Sequence, residues 1–152
     1  MTEFTSAILD SQGDVSHWHY VAYDQLNRDL LPDEEGIGLI FIETSWKAKQ
    51  LPYHKQKLAL LLSNQRHFAL EMQDAGYPVR YVFSKKEYGE ILGGICKELG
   101  KITATKPAEL TLRRSLQPLI DSGEIKLLDH KGWLTTTEDF TKELGKTLPG
   151  EW

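Results

Sequence analysis

The sequence has 152 residues, of which 40% are hydrophobic and 26% are charged, and its formal net charge at pH 7 is -4. These values predict one soluble globular domain and argue against a domain that binds DNA over its whole surface. No apolar run approaches the ~20 residues of a membrane-spanning helix, and the first ten residues lack the pattern of a secretory signal. Cys96 is the only cysteine, so we expect no internal disulfide, no cysteine-bound metal and a cytoplasmic location.

The chain alternates between apolar runs and longer amphipathic segments. Residues 1–16 show no clear period and predict a loosely held arm, with a turn at 11–14. The predicted strands are 17–23, 37–42, 79–83, 101–104 and 125–128. The predicted helices are 52–75, 88–99, 107–122 and 135–144. This alternation predicts a doubly wound α/β fold with a five-stranded, mainly parallel sheet, in which 37–42 is an interior strand flanked by 18–23 and 79–83.

Several residues predict where the helices begin, end and pack. Pro52 fits the first position of the long helix, and Thr135 with Glu138 fits a capping box before the last helix. Pro118 should bend its helix, and the pair Gly93-Gly94 should mark close packing. The expected C-terminal stops are Gly76, Gly100 and Gly123. The expected buried face of the long helix consists of Leu58, Leu61, Leu62, Gln65, Phe68, Ala69 and Met72.

The residues that follow the first two strands are the candidate ligand site. Asp24 and Gln25 follow the first strand, and Glu43 and Lys47 follow the second. The carboxyl ends of neighbouring parallel strands border a crevice, where such side chains can bind a polar heterocycle or a polyol. The residues alone also allow a simpler arrangement, in which Asp24 caps a turn and Glu43 pairs with Lys47.

The motifs of common enzymes are absent from the sequence. There is no G-x-G-x-x-G after the first strand, no Walker loop, no H-E-x-x-H and no G-x-S-x-G. His54 and His67 lie 13 residues apart on one helix and cannot share a metal. We therefore do not expect this chain to be an enzyme by itself. The basic stretch Lys47, Lys49, His54, Lys55 and Lys57 is either a solvated helix entrance or a surface for phosphate or a partner.

Three segments carry a resemblance to a known family. Tyr-Asp-Gln-Leu at 23–26 resembles the Gly-Asp-Gln-Leu that ends the first strand in photolyase-related proteins of the bacterial cryptochrome and six-four photolyase class. Phe-Ile-Glu-Thr-Ser-Trp-Lys at 41–47, followed by Pro-Tyr-His-Lys-Gln-Lys-Leu at 52–58 and Arg-His-Phe-Ala at 66–69, is similar to the most specific N-terminal motif of that family. Gly-Trp-Leu-Thr-Thr-Thr-Glu-Asp-Phe at 132–140 resembles the segment before its inter-domain linker.

The resemblance implies a Rossmann-like N-terminal antenna domain over residues 17–145, with a linker beginning at 146–152. Its relatives repair ultraviolet-damaged DNA or sense blue light. They hold FAD and an iron–sulfur cluster in a helical C-terminal domain, which also contacts DNA, and the N-terminal domain can bind 6,7-dimethyl-8-ribityllumazine. The resemblance thus implies that Asp24, Gln25, Glu43 and Lys47 hold a lumazine, and that the partner of this domain is the helical FAD domain, with no membrane partner.

The sequence departs from the family pattern in three respects. Tyr23 replaces the Gly of the first motif, about sixteen residues precede the first strand, and the sequence has no counterpart of the flavin domain. The bulk of Tyr23 predicts a crowded crevice, which bears on lumazine binding. The alternative function is a stand-alone α/β interaction module without a chromophore, whose basic helix entrance binds a partner protein.

Overall fold

The fold is a five-stranded parallel sheet with helices on both faces. The computed structural model describes residues 3–8, 14–50 and 52–144. The strands are β1 (His17–Tyr20), β2 (Ile37–Thr44), β3 (Val79–Ser84), β4 (Ile102–Thr105) and β5 (Ile125–Leu128). The helices are α1 (Glu3–Ala7), α2 (Ser45–Gln50), α3 (Lys55–Asp74), α4 (Tyr88–Leu99), α5 (Leu110–Asp121) and α6 (Thr137–Leu144). The strand order is β3-β2-β1-β4-β5, and every pair of neighbours is parallel, which confirms the predicted α/β fold class.

Strand β2 lies in the interior of the sheet, as its continuous apolar run predicts. It pairs with β1 on one side, where Ile37 is opposite His17, and with β3 on the other, where Leu39 is opposite Val79. All residues from Ile37 to Ile42 are buried. Both faces of this strand are covered. A strand enclosed by helices on each side can carry so many consecutive apolar residues because none of them contacts water.

Two hydrophobic clusters cover the two faces of the sheet. On one face, Ile40 and Ile42 of β2 pack with apolar residues of α4 and α5, including Leu92 and Leu116. On the other face, Phe41 packs with residues of α3 such as Met72. The alternation along β2 follows from the period of two in a strand, which directs neighbouring side chains to opposite faces.

The segment between β2 and the long helix differs from the prediction. The predicted loop contains the short helix α2, and α3 begins at Lys55 rather than at Pro52. His54 is the N-cap of α3, because its Nδ1 accepts a hydrogen bond of 3.3 Å from the backbone N–H of Gln56. A side-chain acceptor at this position satisfies one of the free N–H groups at the helix start, which Pro52 cannot do.

The predicted buried face of α3 is fully buried only in its second half. Gln65, Phe68, Ala69 and Met72 are buried. Leu58, Leu61 and Leu62 are half-buried, because the first turns of the helix border a cavity instead of packing on the sheet. The change in burial along one helical stripe therefore locates a cleft beside β2.

Residues 3–8, which belong to the predicted arm 1–16, are packed against the domain. The Phe4 ring lies 4.8 Å from the Tyr81 ring in an edge-to-face arrangement, and the Arg66 guanidinium lies 5.3 Å from the Phe4 centroid. The backbone oxygen of Ala7 accepts a hydrogen bond of 3.2 Å from Gln73. The predicted turn at 11–14 and the predicted linker at 146–152 lie wholly or largely outside the described residues.

The three predicted glycine stops are confirmed, but the closest approach of another element to a glycine of α4 is not at the predicted pair Gly93-Gly94. Gly76, Gly100 and Gly123 have positive φ values of 90°, 82° and 75° after their helices. The tightest approach in α4 is at Gly89, where an added Cβ would lie 2.3 Å from the backbone oxygen of Ser115. An added Cβ at Gly93 would be in ordinary contact with the Leu119 side chain at 3.5 Å, and one at Gly94 would meet no atom within 4 Å.

The capping box before α6 is formed by Thr136 and Asp139 rather than by Thr135 and Glu138. The Thr136 hydroxyl accepts from the Asp139 backbone N–H at 3.1 Å, and the Asp139 carboxylate accepts from the Thr136 backbone N–H at 2.9 Å. The helix therefore begins two residues later than predicted, at Thr137.

Candidate functional site

A cleft lies beyond the carboxyl ends of β1 and β2, between α2, α3 and the start of α4. It contains a cavity of about 180 Å³ with mainly apolar walls, to which α3 contributes Leu58, Leu61 and Leu62. A neighbouring cavity of about 280 Å³ extends toward α5. The two cavities share the lining residues Lys47, Tyr53 and Tyr88, so they are adjacent parts of one cleft.

Lys47, on α2, is the charged residue that lines both cavities. Its ammonium group donates hydrogen bonds to the Tyr23 hydroxyl and to the Glu109 carboxylate, and lies 4.0 Å from the centroid of the Tyr23 ring. Burial lowers the pKa of Lys47 to about 8, and the nearby Asp24 carboxylate opposes part of this shift. Burial also raises the pKa of the Glu109 carboxyl. Lys47 is therefore a hydrogen-bond donor in the cleft whose charge titrates just above neutral pH.

Glu43 lies in the wall of the smaller cavity, but its carboxylate is already engaged. It accepts two hydrogen bonds from Arg66, of 2.8 Å and 2.5 Å, and a third of 2.9 Å from the Tyr81 hydroxyl. The alternative pairing of Glu43 with Lys47 is therefore wrong, because Lys47 instead pairs with Glu109. Since a carboxylate offers about four acceptor positions, Glu43 keeps roughly one for a ligand.

The other two predicted residues do not line the cleft. Gln25 is buried, and its Nε2 donates to the backbone oxygens of Thr105 at 3.3 Å and Lys106 at 3.2 Å. These bonds join the segment after β1 to the end of β4, where the order of the sheet reverses. Asp24 is exposed. The structure thus brings Glu43 and Lys47 together and leaves Asp24 and Gln25 outside the cavity walls; their predicted role in ligand binding stays a prediction.

Three tyrosines form the aromatic part of the cleft. Tyr23 lines the smaller cavity, and its ring centroid lies 6.4 Å from that of Tyr88, at the start of α4. Tyr53 lines both cavities from the segment before α3. Burial raises the pKa of Tyr88 to about 12, so its hydroxyl stays protonated at neutral pH. Sequence reasoning recognised Tyr23 as a bulky residue in the crevice but missed Tyr88 and Glu109, which come from distant segments and carry no local signal.

The sequence profile of the deoxyribodipyrimidine photo-lyase-related protein family matches residues 19–148. The chain belongs to this family. The match includes both sides of the cleft, from β1 through α5, so the cleft is part of the family domain.

A curated relative of the photo-lyase-related chain is the (6-4) photolyase of Agrobacterium fabrum (strain C58). The two sequences are 28% identical over 91 residues, which is 55% of this chain and 18% of the relative. The matched region is therefore less than a fifth of the length of that photolyase.

Within the described ranges 3–8, 14–50 and 52–144, the photo-lyase-related domain shows no group of three or more His, Cys, Asp or Glu side chains that could hold a metal ion. In the same part of the chain, no helix combines the length and apolar character needed to cross a membrane. Cys96 is buried, and burial raises the pKa of its thiol to about 11.

Proposed function

We propose that the cleft binds a ribityllumazine, such as 6,7-dimethyl-8-ribityllumazine, and that the chain is the N-terminal antenna domain of a photolyase-related protein that repairs DNA with light or senses blue light. The observation that carries this proposal is the tyrosine-lined cleft at the ends of β1 and β2, within a domain that matches the photo-lyase-related family over residues 19–148. In the whole protein, a bound lumazine would absorb near-ultraviolet or blue light and pass the excitation to FAD in the helical domain.

The walls of the cleft suit the two parts of such a ligand. Tyr23, Tyr53 and Tyr88 offer aromatic surface to a planar heterocycle. Lys47 can donate to a ring carbonyl, and Glu43 can accept from a hydroxyl or a ring N–H through its remaining acceptor position. A fixed aromatic wall with few polar groups is typical of small-molecule sites.

The size of the cleft makes Lys47 the decisive residue. Sites for ligands of this size have volumes of roughly 300–1,000 Å³, and each of the two cavities, at about 180 Å³ and 280 Å³, is smaller. They would join into an adequate volume if the Lys47 side chain, which lines both cavities, moved away from Tyr23 and Glu109. Binding therefore requires that the ligand replaces the acceptors that Lys47 loses.

A fluorescence titration of the purified protein with 6,7-dimethyl-8-ribityllumazine tests the proposal. We expect saturable binding and a near-ultraviolet absorption band beyond the tryptophan and tyrosine bands. Lys47→Met should weaken binding by about tenfold to hundredfold, since a buried ligand acceptor loses its donor. Lys49→Met is the matched control, because Lys49 is exposed on the same helix and outside the cavity walls.

Absence of saturable binding to the wild-type protein would refute the antenna role and favour the interaction module. Equal losses in Lys47→Met and Lys49→Met would show that binding depends on general charge and not on the cleft. Melting curves of both variants identify any loss that arises from unfolding.

A further inference from the structure

A separate cavity of about 470 Å³ lies at the carboxyl ends of β4 and β5. Its walls come from the loop after β4, from α5, from the segment between β5 and α6, and from α6. It shares no lining residue with the cavities of the cleft. We call it the β4–β5 cavity, and the proposed antenna function assigns no role to it.

The charges that line the β4–β5 cavity are mainly positive. Lys106 and Arg113 contribute two cations, His130 adds an imidazole, and Asp129 is the single carboxylate. Asp129 is exposed, whereas Arg113 is half-buried. The chain as a whole has a formal net charge of -4, so this concentration of positive charge is local. Two cations that line one concave surface favour an anion there.

One of these cations has an unused donor. The Nε–H of Arg113 is buried and has no hydrogen-bond partner among the described residues. Buried donors are rarely left unpaired, because they lose their bonds to water without replacement.

Aromatic rings lie beside the cations. Trp133 is 66% exposed and Phe140 is 54% exposed, although both line the cavity. The His130 ring lies 6.1 Å from the Trp133 ring, and its Nδ1 accepts a hydrogen bond of 3.0 Å from the backbone N–H of Gly132. Since Nδ1 accepts, neutral His130 carries its proton on Nε2, which makes that nitrogen a donor. Large exposed rings beside cations suit a planar group that carries negative charge.

We propose that the β4–β5 cavity binds a phosphorylated planar ring compound of the nucleoside monophosphate class. Arg113 and Lys106 bind the phosphate, and Trp133 and Phe140 pack against the ring. Two cations match the charge of a phosphate dianion better than that of a carboxylate, and the Arg113 guanidinium can present its terminal N–H groups to the phosphate oxygens.

Isothermal titration calorimetry of the purified chain with AMP, adenosine and inorganic phosphate tests the site. We expect saturable binding of AMP, with adenosine and phosphate each at least about tenfold weaker, because each lacks one of the two recognised parts. Arg113→Gln should weaken AMP binding by about tenfold or more. Arg114→Gln is the matched control on the same helix, since Arg114 is exposed and outside the cavity wall.

A second pair of variants tests the aromatic wall. Trp133→Ala should weaken AMP binding, whereas Leu134→Ala should leave it unchanged, because Leu134 is fully exposed and does not line the cavity. The site is refuted if AMP binds no more tightly than phosphate, or if Arg113→Gln and Arg114→Gln have equal effects. Lys47→Met separates the two proposals: it should weaken only lumazine binding, whereas Arg113→Gln should weaken only AMP binding.

Discussion

The carboxylate of Glu43 and the guanidinium of Arg66 form a two-point ion pair that joins the end of β2 to α3. The Nε–Oε2 distance is 2.8 Å and the Nη2–Oε1 distance is 2.5 Å. The Tyr81 hydroxyl, on β3, donates to the same carboxylate at 2.9 Å. Three neighbouring elements thus meet at one side chain in the wall of the cleft, and the position of Glu43 is fixed before any ligand binds.

Removal of the Glu43 carboxylate should destabilise the domain. Glu43→Ala leaves the half-buried Arg66 and the Tyr81 hydroxyl without their acceptor, so we expect a loss of about 1–3 kcal/mol in the free energy of unfolding. Urea denaturation measures this loss. Glu90→Ala is the control, because its pair with Lys86 is an exposed i,i+4 pair and should contribute only about 0–1 kcal/mol. Equal losses in the two variants would contradict a structural role for the Glu43 pair.

Lumazine binding should weaken as the pH rises through about 8. The pKa of Lys47 is about 8, and only the protonated ammonium carries the positive charge that strengthens its hydrogen bond to a ligand carbonyl. Dissociation constants measured by fluorescence between pH 6.5 and 9.5 should rise across this range. In Lys47→Arg the guanidinium stays protonated, so any binding that this variant retains should not change with pH. A flat profile for the wild-type protein would contradict the loss of charge on Lys47 in this range as a determinant of binding.

The stability of the domain should fall in mild acid because of His19. This side chain is buried in β1, with its Nδ1 2.9 Å from the Thr103 hydroxyl, and burial lowers its pKa to about 4, with smaller contributions from His17 and Lys131. The unfolded chain, with an ordinary pKa of 6.5 for this group, binds the proton more tightly than the folded chain. The contribution of His19 to stability is therefore constant above pH 6.5 and falls by roughly 3 kcal/mol as the pH decreases toward 4.

Urea denaturation between pH 7.5 and 4 checks this dependence. His19→Gln should reduce the slope of stability against pH in that window, whatever its effect on stability at pH 7.5. His67→Gln is the control, because His67 is exposed on α3. The same slope in His19→Gln as in the wild-type protein would rule out the buried histidine as its source.

The two ends of α3 should respond differently to the loss of a large side chain. Met72 is completely buried between α3 and the sheet, so Met72→Ala should cost about 2–5 kcal/mol. Leu61 is half-buried beside a cavity, so Leu61→Ala should cost less than about 2 kcal/mol. Leu60 is 61% exposed and gives a reference within about 0.5 kcal/mol of the wild type. Thermal melts of the three variants would contradict this order if Leu61→Ala were as destabilised as Met72→Ala.

The sequence by itself determined the five strands, the helices α3 to α6 and the class of fold. Apolar runs and helical stripes are local patterns, so the five strands, the parallel sheet and the interior position of β2 could be predicted from them. Glycines in the left-handed region ended helices where expected, since their conformation depends on the residue itself. The predicted helix starts at Pro52 and Thr135 were wrong by only two or three residues. Several neighbouring side chains could act as the N-cap, and only the hydrogen bonds in the folded structure show which one does.

Only the tertiary structure decided which side chains meet. Glu43 and Lys47 are four residues apart in the sequence and follow the same strand, but they do not pair with each other. Glu43 pairs with Arg66, and Lys47 pairs with Glu109. Gln25 donates hydrogen bonds to backbone carbonyl groups at the end of β4 and does not line the cleft. A charged or polar side chain at the end of a strand can pair with groups from any of the elements packed there. The distances to these hydrogen-bond and ion-pair partners are set only when the strands and helices have assembled.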